Sequence, residues 1–90
     1  MEIVILEAQM SRDADGYVGT VRFEAKGHSQ PYELTLHSKS GEDWGYSLLF
    51  YGKSGVESEI MAVEERLEED DELFDKLVGA ALESMNPEPS

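Results

Sequence analysis

Apolar and polar residues alternate with period two in four separate stretches of the first half of the chain. In the first, about residues 2–10, Val4, Leu6, Ala8 and Met10 form one row, with Ile3 and Ile5 on the other side. In the second, about residues 17–26, Tyr17, Gly19, Val21, Phe23 and Ala25 alternate with Val18, Thr20, Arg22 and Glu24. Tyr32, Leu34 and Leu36 make the third row, within residues 31–38, and Trp44, Tyr46, Leu48 and Phe50 the fourth, within residues 44–51. Alternation of this kind places every second side chain on one face of a strand. The connections "DADG", "KGHSQP" and "SKSGED" are short and rich in turn-forming residues, which predicts an antiparallel meander.

From about residue 56 the period becomes helical. Phe74, Leu77, Val78, Ala81, Leu82 and Met85 make one wide apolar stripe, and Ile60, Val63 and Leu67 a shorter one upstream. Met61 and Met85 read as members of these stripes. Between the stripes lies "EEDDE", residues 68–72, with no apolar member. Asp70 or Asp71 there is a good N-cap, so the pattern predicts two helices, about residues 57–69 and 71–85, not one long rod. Ser54 or Ser58 is expected to cap the first. "NPEPS", residues 86–90, ends the helix and is expected to be a disordered tail. The expectation is one α+β domain over residues 1–85: a four-stranded antiparallel sheet with one face under the helices.

That architecture leaves the other sheet face open. Ile3, Ile5, Val18, Leu49 and Tyr51 are expected to gather there beside Thr20 and Thr35, as an apolar patch suited to a partner or a second copy. The inward row of Trp44, Tyr46 and Phe50 reads as core and not as a ligand platform.

Charge sharpens the picture. The 90 residues carry a formal net charge of −13. Residues 1–55 hold 8 acids against 5 bases, and residues 56–90 hold 12 against 2. A phosphate backbone and an anionic membrane both repel such a surface, so neither nucleic acid nor membrane is an expected partner. A basic protein is attracted. The stretch "EERLEEDDELFD", residues 64–75, concentrates the effect in Glu68, Glu69, Asp70, Asp71 and Glu72. Acids at the end of the first helix oppose its dipole, so helix stability does not explain them. Solvation of the surface, or a salty host, explains them without any partner.

Candidate chemistry is sparse. "SRDADGYV" imitates a calcium loop, but Arg22 stands where the bidentate glutamate belongs, and both flanks read as strands; it is a turn. "YGKSG", residues 51–55, has the Gly-Lys-Ser of a phosphate loop but Ser47 in place of its first glycine. His28 is expected in an exposed turn and His37 on the outer face of the third strand. With Glu33 or Asp43, these histidines fit no specific metal spacing. There is no cysteine, and no apolar run approaches the ~20 residues that span a bilayer. Glu2, in place of a basic start, argues against a signal peptide, and a cytoplasmic protein of a prokaryote or virus is the simplest expectation.

The residues therefore favour a non-enzymatic interaction module for a basic partner, or a homodimer, with no cofactor. Two alternatives follow from the same features: a nucleic-acid mimic that inhibits a DNA- or RNA-binding protein, and a small-ligand or metal-dependent enzyme on the exposed sheet face.

Overall fold

A computed structural model describes residues 2–85. Four strands, β1 (Ile3–Asp13), β2 (Gly16–Ala25), β3 (Tyr32–Ser38) and β4 (Gly45–Phe50), form one antiparallel sheet in the order β1-β2-β3-β4. Two helices follow, α1 (Glu57–Glu69) and α2 (Asp71–Met85). The meander and the paired helices are those the alternation and the polar gap predict. The tail expected at residues 86–90 lies outside the described residues. No described helix is long and apolar enough to cross a membrane.

The first hairpin is tighter than its sequence suggests. β1 and β2 pair through to Asp13 opposite Gly16, so "DADG" contributes only Ala14 and Asp15 to the loop. The Asp13 carboxylate accepts the Asp15 N–H at 2.8 Å. Gly16 has φ of 126°, a conformation few L-residues adopt, and a Cβ there would collide with Ser38 O and approach Lys39 Cα to 2.7 Å.

Helix α2 lies mainly over β1 and β2, and α1 lies against β4. The covered face holds Val21, Phe23, Tyr32, Leu34 and Leu36, all fully buried, against Val63 and Leu67 of α1 and Leu73, Leu77, Val78 and Ala81 of α2. Trp44, Tyr46, Leu48 and Phe50 pack on this core but stay partly exposed. The α2 stripe is rotated from its expected centre: Leu73 is buried and Leu82 is exposed. Met61 is 60% exposed and faces solvent, contrary to its expected place in the α1 stripe.

The larger correction concerns β1. Ile5 pairs with Phe23 and Glu7 with Arg22, so Leu6 is an extra residue, a β-bulge. An odd residue reverses the side on which everything N-terminal to it points. Ala8 and Met10 face the helices as expected, but Ile3 enters the core and Ile5 packs against it. Val4 and Leu6, expected in the inner row, are 59% and 49% exposed.

Asp70 breaks the helical run. It is extended (φ −109°, ψ 94°), its N–H bonds the Arg66 carbonyl, and its Oδ1 accepts the Leu73 N–H at 3.2 Å. One residue thus closes α1 and caps α2. The start of α1 differs from expectation: Val56 holds the N-cap position with no side-chain hydrogen bond, and neither Ser54 nor Ser58 caps it.

Candidate functional site

The acidic run folds into the corner between α1 and α2. Glu68 and Glu69 end α1, Asp70 makes the corner, and Asp71 and Glu72 open α2. Four of these five carboxylates, Glu68, Glu69, Asp71 and Glu72, are exposed. Asp70 is only half-buried and already occupied, by the cap and by a 3.7 Å ion pair from its Oδ2 to Arg66. Arg66, Glu69, Asp70, Asp71 and Glu72 line one open depression. The base among these lining residues is therefore engaged by Asp70, and among the described residues no ion pair holds Glu68, Glu69, Asp71 or Glu72.

The same charge reaches β4. Burial pushes the Tyr46 hydroxyl pKa up, and the nearby carboxylates of Glu68 and Glu64 push it further. Helix α1, which carries these acids, packs against that strand.

The open face of the sheet keeps only part of the apolar patch its sequence suggests, in exposed Val18, Leu49 and Tyr51. Ile3 and Ile5 have left it for the covered face, through the Leu6 bulge. Its centre is an ion network: Arg22 donates from Nη1 to Glu7 Oε1 at 2.6 Å and from Nε to Glu33 Oε2 at 3.0 Å. The guanidinium also sits 4.4 Å from the ring centroid of Tyr51, a cation–π contact. The hydrogen bonds to Glu33, then to Glu7, raise the pKa of Arg22. A polar row, Gln9, Thr20, Thr35 and Ser47, runs across all four strands beside it. Leu49 at 55% and Tyr51 at 39% remain exposed, at the β4 side, while Val4 and Leu6 lie at the β1 side.

The residues considered for catalysis do not converge. Glu33 is held by Arg22, His37 is exposed with its ring against Gly45, and Asp43 is exposed in the connection before β4. Among the described residues, no three of His, Cys, Asp or Glu are grouped to hold a metal ion.

A second cluster went unread in the sequence. His28, expected to be exposed, is half-buried, with Nδ1 2.7 Å from the hydroxyl of buried Tyr32. Beside it, Ser29 donates from both its N–H and its hydroxyl to Glu59 Oε1, each at 3.0 Å. The backbone N–H of Ser29, aided by its hydroxyl and by His28, lowers the Glu59 pKa against the opposing effect of desolvation. This cluster ties the β2–β3 turn to α1. A groove of about 440 Å³ lies alongside, between the start of β1 and that turn, and includes Ile3, Lys26, His28 and Pro31 in its walls. The signal was the pairing of Ser29 with an acid in the first turn of a helix thirty residues away, which no local pattern reveals.

Comparison with protein-family models, curated proteins and solved structures gives no match.

Proposed function

We propose that this protein is a non-enzymatic, cytoplasmic interaction module that recognises a basic protein through the acidic corner between α1 and α2. The observation that carries the reading is that Glu68, Glu69, Asp71 and Glu72 are exposed together while Arg66, the base beside them, is engaged by Asp70. Uncompensated carboxylates on a protein of net charge −13 create a field that speeds encounter with a cationic surface and rejects anionic ones. Concentration of the acids at one corner favours a localised basic patch over a partner that tracks a long phosphate-like array.

The test is capture from the native host's lysate at low and at ~0.15 M salt, where the screening length is about 8 Å. The wild type is compared with a variant carrying Glu68→Gln, Glu69→Gln, Asp71→Asn and Glu72→Gln. Asp70 is left intact because it caps α2; Asp70→Ala is expected to cost about 1 kcal/mol in urea unfolding. Retention of a basic protein by the wild type at the higher salt, and its loss from the variant, supports the reading. Equal recovery reduces the acidic corner to a solvated surface.

A further inference from the structure

The two edges of the sheet are unequal. β1 carries a bulge, has Glu7, Arg12 and Asp13 along its length, and lies under α2. Bulges, charges and covering helices are the devices that keep an edge strand from pairing with another chain. β4, "GYSLLF", has no charge and no proline, and its register with β3 runs without a bulge.

Helix α1 does not close this edge. Tyr46, Leu48 and Phe50 stay partly exposed, although their β3 neighbours Leu36, Leu34 and Tyr32 are fully buried. Tyr51 N–H donates to Pro31 O at 3.0 Å. Antiparallel ladders alternate, so the backbone groups of Gly45, Ser47 and Leu49 also point to β3. Those of Tyr46, Leu48 and Phe50 therefore point off the edge. The free groups lie between two kinds of surroundings: on the helix side α1, which lies against β4 and exposes Glu64 and Glu68, each next in sequence to buried Val63 and Leu67, and on the open face exposed Leu49 and Tyr51.

We propose that β4 accepts an extended segment of a basic partner as a fifth, antiparallel strand, with cationic side chains toward Glu64 and Glu68 and apolar ones toward Leu49 and Tyr51. This rests on the basic-partner reading and gives it a main-chain contact. Strand addition takes its affinity from backbone hydrogen bonds and its selectivity from alternate side chains. A second copy of this chain is the poorer occupant, because its own Glu64 and Glu68 would approach those already there.

The probe is an end-blocked peptide, Lys-Val-Lys-Val-Lys-Val-Lys, followed by fluorescence anisotropy at ~0.15 M salt. In the proposed register the lysine N–H groups point to β4 and the valine N–H groups to solvent. N-methylation of three lysines is expected to weaken binding about tenfold or more, and N-methylation of the three valines to change it far less. Glu64→Gln with Glu68→Gln is expected to weaken binding several-fold. Amide shifts should centre on Tyr46, Leu48 and Phe50. Equal binding of the three peptides, or absence of binding, overturns strand addition. So does a dimer of the protein joined through β4 at sedimentation equilibrium. Shifts confined to Glu69–Glu72 overturn the edge assignment while leaving the acidic corner as a basic site, and the lysate comparison decides that wider reading independently.

Discussion

Arg22 and Phe23 are adjacent in β2 and live in different physical regimes. Phe23 points under the helices, has no exposure, and packs 5.6 Å, ring to ring, from Tyr32. Arg22 points to the open face and is held by Glu7, Glu33 and the Tyr51 ring, all within reach of water. One face of the sheet is ordered by burial of apolar area, the other by charge and stacking. Burial of a large side chain contributes about 1.5–3 kcal/mol, whereas solvated ion pairs are individually weak and fade with salt. The covered face therefore sets stability, and the open face contributes little to it.

The contrast is broken most severely by Phe23→Ala, which opens a cavity that the flanking strands prevent from collapsing. A loss of about 3–5 kcal/mol in urea unfolding is expected. Thr20→Ala, on the open face of the same strand, is expected to change stability by about 0.5 kcal/mol or less. Similar losses at both positions would mean that the open face is not solvated. Gly16→Ala comes next. It forces a φ near 126° on a side chain and drives its Cβ into the backbone of Ser38 and Lys39, for an expected cost of about 2 kcal/mol.

The fold was legible where pattern and turn chemistry agree. The inward rows of β2, β3 and β4 each have one apolar side, and Asp70 stands in the polar gap where the helices part. Two rows could not be placed by periodicity. In "IVIL", residues 3–6, both sides are apolar, so alternation carried back from Ala8 and Met10 puts Val4 and Leu6 inward, and nothing local marks Leu6 as extra. In α2, Leu77, Val78 and Ala81 belong equally to a stripe centred on Leu73 and to one centred on Leu82; only packing on β1 and β2 selects the first. The acidic corner was readable from charge alone. The meander already puts β4 at an edge, but which of its residues turn their backbone groups outward follows from the register, Tyr51 N–H on Pro31 O, which alternation alone does not give.

Where the two regimes meet, pH separates them. Glu59 binds Ser29 at the border between the β2–β3 turn and α1, and its folded pKa lies below the ordinary glutamate range. A depressed carboxylate stabilises the fold above its unfolded pKa, and that contribution is lost as pH falls through the folded value. Wild type is therefore expected to exceed Glu59→Gln in stability at neutral pH and to converge with it in acid. Parallel curves, measured by urea unfolding across that range, would show that the Ser29 contacts do not favour the charged form.

The smallest effect is expected from the change that looks most invasive, deletion of Leu6. The bulge exists because Ile3 and Ile5 must share a face with Ala8 and Met10, and one extra residue between Ile5 and Glu7 restores that parity. Without Leu6 the strand alternates regularly: Ile3 and Ile5 stay in the core, Glu7 stays opposite Arg22, and no core contact is lost. Stability should remain within about 1 kcal/mol of the parent, a Tm shift of about 4–8 °C at most. Deletion of Gln9, in the regular part of the same ladder, is the counterpart. With the hairpin fixing Met10 opposite Gly19, it turns Glu7 toward the helices and removes its bond to Arg22, so a carboxylate must be buried or the strand end released. If the Leu6 deletion proves the more damaging of the two, the bulge is not what assigns β1 residues to faces. Leu6 would then have to be a packing residue in its own right, at odds with its exposure.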